Sequence, residues 1–241
     1  MKLSHVATIT TALVIIVGIC LISPMFFRVP SPKNQPHVAL FLYVTGEGNS
    51  TSWCREVGSH LGAETKATVF FIGEVVDENP EIVSSFGPHV DWGSLTYHYR
   101  SLLSSDDYTA QLLEIQEGKM AVDAAVNVDS KLFAAPFGIV NNNIFSQLKR
   151  SGITADFSYS DHYNKLWNGT FITMPLKFVE GMNLKFGDLP KNANDPPTVI
   201  IFHSTTSSAQ VIQTFQELKE AGFGLLSASD IVGFDLIERG S

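Results

Sequence analysis

The chemistry of this chain has to be sought at the ends of its apolar runs. The first run, residues 37–45, carries no carboxylate and closes on Gly46-Glu47-Gly48. The last strong run, residues 198–203, ends in His203, an imidazole of the kind that moves protons near neutral pH. His98 stands between Tyr97 and Tyr99, and Glu47, Asp161 and His162 fall in loop-like stretches. Rings gather at or near the same ends: Tyr43, Tyr97, Tyr99, Phe137, Tyr159, Trp167 and Phe202. Aromatic faces stack on the C–H patches of sugars, so these residue types predict a glycan-binding groove. The competing reading is that the rings fill the space the strands enclose. Cys54 reads as a small buried hydrophobe and not as a nucleophile.

The elements that must position these side chains are strands and helices in alternation. Residues 37–45, 67–72, 132–137, 153–159 and 198–203 are apolar, β-branched or aromatic runs. They are the signature of strands buried on both faces of a parallel sheet. Helical spacing marks 52–61, a short helix at 79–86 with Pro80 in its first turn, 105–126, 143–150 and 208–221. In the longest helix Tyr108, Leu112, Leu113, Ile115, Met120 and Val122 form the expected buried face, with Ser105 or Asp106 as N-cap. Weaker strands are expected at 89–96, 171–176 and 223–227, a loop at 161–167 and a polar surface excursion at 177–197. The pattern predicts an α/β fold on a parallel sheet, with function in the loops at the carboxyl ends of the strands.

Composition narrows the partners. Acidic residues number 24 against 16 Lys and Arg, a formal net charge of −8, which argues against a nucleic-acid surface. The two cysteines, Cys20 and Cys54, fall in different segments, so no internal disulfide framework is expected. Residues 3–27 hold no Asp, Glu, Lys or Arg and one histidine, His5. At about 1.5 Å per residue that length matches a hydrocarbon core of about 30 Å. The expected organisation is an uncleaved signal anchor at 1–28, a proline-bearing linker at 29–36 and one domain at 37–241. The protein is then single-pass, with the domain on the extracytoplasmic side. Asn49-Ser-Thr and Asn168-Gly-Thr are N-glycosylation sequons, making Asn49 and Asn168 candidate acceptors.

Several fragments, in order, resemble the polysaccharide deacetylase family, the NodB-homology domain of carbohydrate esterase family 4. Val38-Ala-Leu precedes the first loop. Ala67-Thr-Val-Phe-Phe-Ile-Gly73 is similar to the family's A-T-F-F-v-x-G strand. Gly93-Ser-Leu-Thr-Tyr-His-Tyr99 is similar to G-N-H-T-Y-S-H, and Phe133-Ala-Ala-Pro-Phe-Gly138 to F-R-P-P-Y-G. Ile200-Ile-Phe-His203 is similar to the i-i-L-H-D strand, and Leu218-Lys-Glu-Ala-Gly-Phe223 to L-K-x-x-G-Y. The resemblance implies a distorted (β/α)7 barrel, here preceded by the N-terminal membrane helix. It also implies metal-dependent removal of N-acetyl groups from chitin-like or peptidoglycan glycans. In that chemistry zinc or another divalent ion polarises the amide carbonyl and activates water, and a carboxylate takes the proton.

The same resemblance locates the departures. The family's aspartate pair falls on Tyr43 and Val44, its two ligand histidines on Leu95 and Tyr99, and its orienting arginine on Ala134. The late general-acid histidine is kept as His203, followed by Ser204 where the family has aspartate. Hydrocarbon side chains do not ligate, and the phenols have pKa values near 10, so no metal is expected. The rim is expected to offer phenols and hydrocarbon in place of acids and imidazoles. Three functions compete. The first is a pseudoenzyme without cofactor that binds cell-surface polysaccharide or a partner protein through Tyr43, Tyr99, Phe137, Trp167 and Phe202, with His203 the one surviving catalytic position. The second is an active deacetylase with a site rebuilt from His98, His203 and Asp161. The third is a structural scaffold.

Overall fold

β1 (His37–Val44) lies inside the sheet with all eight residues buried. Its side chains divide by alternation: Val38, Leu40, Leu42 and Val44 enter one core, Ala39, Phe41 and Tyr43 another. A strand buried on both faces cannot alternate in polarity, which is why this run reads as continuously apolar. The chain is described from a computed structural model covering residues 35–62, 64–158, 164–168, 170–174 and 176–231; side chains at 164–174 lie outside that description.

The sheet is parallel except at one edge. β1 pairs in parallel with β2 (Ala67–Phe71), β9 (Thr198–His203) and, over its first residues, β10 (Gly224–Leu226). β3 (Val90–Ser94), β4 (Leu132–Phe133) and β5 (Ala155–Asp156) follow β2 outward, each parallel to the last. β6 (Asn164–Asn168) then pairs antiparallel with β5 and with β7 (Thr170–Met174). On the other side β8 (Lys177–Glu180) pairs in parallel with β9. β7 and β8 end the order, so the sheet curls as an open barrel. The curl shows in the rings: Phe41 of β1 lies 5.2 Å from Phe70, 5.2 Å from Phe157 just past β5, and 6.5 Å from Phe178 of β8, centroid to centroid.

Helices cover the convex face. α1 (Ser50–Leu61) buries Trp53, Cys54, Val57 and Leu61 against the outer cluster, and α5 (Ser208–Glu220) adds Val211, Phe215 and Leu218. α2 (Gly73–Glu78) and α3 (Tyr108–Val126) close the next gap, and α4 (Asn142–Arg150) packs with α3 over Phe133.

The structure amends several expectations. The expected helix at 79–86 is 3-10 helix, Pro80–Ser85, preceded by α2, which periodicity missed because it is only six residues long. The stretch expected as a loop at 161–167 contains β6, and the start of the expected surface excursion is β8. The β6–β7 hairpin makes the sheet mixed. α3 is capped by Asp107, whose carboxylate accepts from the backbone of Thr109 and Ala110. Its buried face is only partly the expected one: Ile115 and Val122 are fully buried. Tyr108, Leu113 and Met120 are exposed, Met120 at 65%. Gln111, Glu114, Gly118 and Lys119 are buried instead. Each polar member is partnered: Gln111 donates to the carbonyls of Leu102 and Ser105, Glu114 meets His98 and Arg100, and Lys119 meets Asp123 and Asp129. Among the described residues no helix is long and apolar enough to cross a membrane. The expected anchor, residues 1–28, and most of the linker lie outside them.

Candidate binding site at the barrel mouth

Period-two alternation aims a defined set of side chains into the barrel at the carboxyl ends of the strands. Tyr43 follows Ala39 and Phe41, and His203 follows Val199 and Ile201. Glu180 stands two residues after Phe178, which packs on the same inner cluster. Tyr43 and His203 are register partners, and their rings meet edge to face at 5.3 Å. Glu180 Oε1 lies 3.6 Å from His203 Nε2. Tyr99 packs against the inner cluster and stands 5.0 Å from Phe137.

Below this rim the barrel is filled. Phe41, Phe70 and Phe157 are fully buried, together with Ile72 and Leu95, and Tyr43 lies 5.4 Å from Phe70 in a T-shaped contact. Such edge-to-face pairs contribute about 0.5–1.5 kcal/mol each beyond the area they bury. One group of rings therefore fills the interior, while at the rim Tyr99 is half-buried and Phe137 exposed.

Phe137 is 56% exposed with φ +60°, inside a 3-10 turn, Pro136–Gly138. A large side chain in the left-handed region costs about 1–2 kcal/mol, and such strain concentrates at binding sites. Phe202 does not serve the mouth. It is 1% exposed, belongs to the outer cluster, and its ring fills the space a side chain at Gly181 would need. Alternation accounts for this, since the neighbour of an inward His203 must point outward. The side chains of Trp167 and Asn168, and Tyr159, Asp161 and His162 altogether, lie outside the described residues. Asn49 is exposed and caps α1, its side-chain oxygen accepting from the backbone of Ser52 at 3.0 Å.

Two carboxylates at the mouth, Asp156 and Glu180, were missed in the sequence, while Glu47 was among its loop candidates. Burial, followed by the charges of Asp156 and Glu180, raises the Tyr43 phenol far above its ordinary pKa. Burial, then Glu47 and Glu180, raises that of Tyr99. Asp156 is itself buried and accepts from Ser158 through both its backbone N–H (3.0 Å) and its hydroxyl (2.5 Å). The expectation of a rim without acids is therefore corrected: three carboxylates act on the two phenols. The available signals were a lone Asp inside an apolar run and a Glu two residues beyond a buried Phe. Tyr43 is 4% exposed, and its buried hydroxyl finds no hydrogen-bond partner among the described residues.

The positions where the family holds its divalent ion do not fit one. Val44 faces the outer core, Leu95 is buried hydrocarbon, and Tyr43 and Tyr99 are phenols whose ionisation is disfavoured. Among the described residues no three His, Cys, Asp or Glu side chains gather as a ligand set. His98 is drawn to α3, with Nδ1 2.9 Å from Glu114 Oε1 and its backbone N–H donating to Oε2 at 2.9 Å. Ser204 sits in a buried hydroxyl cluster with Thr45 and Ser50, which ties the ends of β1 and β9 together.

The polysaccharide deacetylase family model matches residues 51–155. No curated protein matches the chain. Among solved structures, a mutant of the peptidoglycan deacetylase PdaC from Bacillus subtilis superposes with TM-score 0.61 at 15% identity, covering 87% of this chain and 96% of that one. A family 4 carbohydrate esterase from Streptomyces lividans, in complex with acetate, gives 0.54 at 19% identity over 80% and 91%. A CE4 family pseudoenzyme from Bacillus anthracis gives 0.57 at 18% identity over 82% and 65%. The family resemblance read from the sequence is thus shown, and the curled, largely parallel sheet has the fold of the deacetylase barrel.

Proposed function

We propose that this chain is a membrane-anchored, extracytoplasmic polysaccharide-deacetylase-like protein that binds glycan at its barrel mouth without metal-dependent deacetylation. The observation that carries the reading is the Tyr99–Phe137 pair, with Phe137 exposed on a strained backbone above a filled barrel. An aromatic pair at a solvent-facing rim suits the apolar face of a sugar ring. The donor set at the family's metal positions supports loss of the family chemistry, and family membership supports a cell-wall or cell-surface polysaccharide as partner. The anchor rests on the apolar stretch at 3–27.

The test uses the full chain in lipid nanodiscs. Metal content, acetate release from an N-acetylated chitin oligomer and binding to glycan oligomers are measured together. Binding without bound metal or acetate release is the expected result, and Phe137→Ala is expected to weaken it about tenfold. Chelator-sensitive acetate release overturns the proposal in favour of an active enzyme. Absence of glycan binding leaves the scaffold reading.

A further inference from the structure

Three features of the mouth are not used by sugar stacking alone. Glu47 is exposed on the glycine-bounded loop after β1, and its charge reaches the Tyr99 phenol. Glu180 lies against His203 and acts on both Tyr99 and Tyr43. The Tyr43 hydroxyl is buried, inward-facing and without a hydrogen-bond partner among the described residues. A buried hydroxyl left unpaired costs about 1–3 kcal/mol, so retaining it beside carboxylates calls for a ligand group that completes it.

An N-acetyl group is neutral and would meet carboxylates with no charge of its own to offer. A protonated primary amine meets all three features. It donates to carboxylates, it donates to a phenol oxygen, and it is attracted to an aromatic face. We infer that the mouth recognises the free ammonium of a de-N-acetylated hexosamine, with Glu180 and Glu47 facing the ammonium and the Tyr99–Phe137 pair stacked on the sugar ring. This rests on the glycan reading above and specifies its ligand: the chemical product of the deacetylation the family performs, and not its substrate. The sugar is preferred over a lysine side chain because the exposed ring pair offers a flat apolar surface beside the charges, which a flexible alkyl chain does not need.

The experiment measures binding of three probes to the full chain in nanodiscs by calorimetry: a β-1,4-linked glucosamine tetramer, its fully N-acetylated counterpart and tri-lysine. The free-amine tetramer is expected to bind about tenfold more tightly than the N-acetylated one, the worth of one partly exposed charge-assisted contact. Glu180→Gln and Glu47→Gln, on separate segments, are each expected to remove most of that preference. Residual binding of the N-acetylated tetramer reports that the variants remain folded. Equal or tighter binding of the N-acetylated tetramer overturns the inference and leaves the glycan reading standing. If neither tetramer binds, both fall. Tri-lysine bound as tightly as the amino sugar overturns the sugar assignment, and an unchanged preference in both variants overturns the role of the carboxylates.

Discussion

His203 Nε2 and Glu180 Oε1 lie 3.6 Å apart, on adjacent parallel strands that end at the same rim. Their meeting follows from register. Glu180 is opposite Ile201, and both it and His203 stand at even spacing from residues of the inner cluster, Phe178 and Ile201. The same end of the sheet carries Tyr43 and Tyr99, so an imidazole, a carboxylate and two phenols share one opening while the hydrocarbon below it excludes water. The positions that would hold an electrophilic metal are hydrocarbon or phenol: Val44, Leu95, Tyr43 and Tyr99.

Phe137 tests whether strain is kept for function. Phe137→Gly relieves about 1–2 kcal/mol of left-handed backbone strain. It loses about 0.5–1.5 kcal/mol of ring contact with Tyr99 and about 0.4–1 kcal/mol through a more flexible unfolded chain. These terms nearly cancel. The unfolding free energy from urea titration should therefore stay within about 1 kcal/mol of the parent, although truncating a buried Phe costs about 3–5 kcal/mol. Glycan binding should fall in the same variant. A loss of stability as large as a core truncation would show that the ring is structural.

How much of this was legible in the sequence depends on what each element needed. β1 and β9 were legible because strands buried on both faces are written as unbroken apolar runs. β6 and β8 were not, since they carry Asn, Lys and Glu and owe their existence to pairing with their neighbours, β5 and β7 for one and β9 for the other. The buried face of α3 was legible at Ile115 and Val122 but not at Gln111, Glu114 and Lys119, which are paid for by partners outside the helix, Leu102, His98 and Asp129, that no helical periodicity reveals. The mouth was half legible. Motif alignment located Tyr43, Tyr99 and His203, but Glu180 reached the site through a strand register, and Asp156 was hidden inside an apolar run.

Gly118 is a close-approach position. A Cβ there would meet the carbonyl carbon of Thr96 at 2.4 Å and its oxygen at 2.7 Å, both backbone atoms that cannot swing aside. Helix propensity alone favours Gly118→Ala by about 1 kcal/mol. The clash decides the sign, because α3 must move off residues 96–97 and strain the Tyr97 N–H to Glu114 carbonyl bond of 2.9 Å. A net loss of about 1–3 kcal/mol in chemical denaturation is expected. A stabilised variant would show that α3 slides without cost.

Glu114 sets an acid limit on stability. Burial pushes its carboxyl up, but hydrogen bonds from the His98 backbone, the His98 ring and Arg100 outweigh burial and hold it below the ordinary glutamate value. A group depressed in the folded state contributes stability above its unfolded pKa, about 4.3, and loses it as pH falls through the folded value. Denaturation midpoints should therefore decline below about pH 4.3, and Glu114→Gln should flatten that decline while lowering stability at neutral pH. A parallel decline in parent and variant would assign the acid limit to other carboxylates.

Tyr43 separates stability from recognition most sharply. Its hydroxyl is buried, surrounded by hydrocarbon and negative charge, and partnerless among the described residues. Removing a buried polar group that has no partner relieves its desolvation cost, so Tyr43→Phe should stabilise the domain by about 1 kcal/mol. The ring contacts with Phe70 and His203 remain, so no cavity opens to offset the gain. The same variant should bind an amino sugar less tightly, because the phenol oxygen that accepts from the ammonium is gone. Thermal melts and calorimetric titration on one preparation give both answers. A destabilised Tyr43→Phe would mean that the hydroxyl is already satisfied inside the folded chain, and the case for a ligand that completes it would lose its footing.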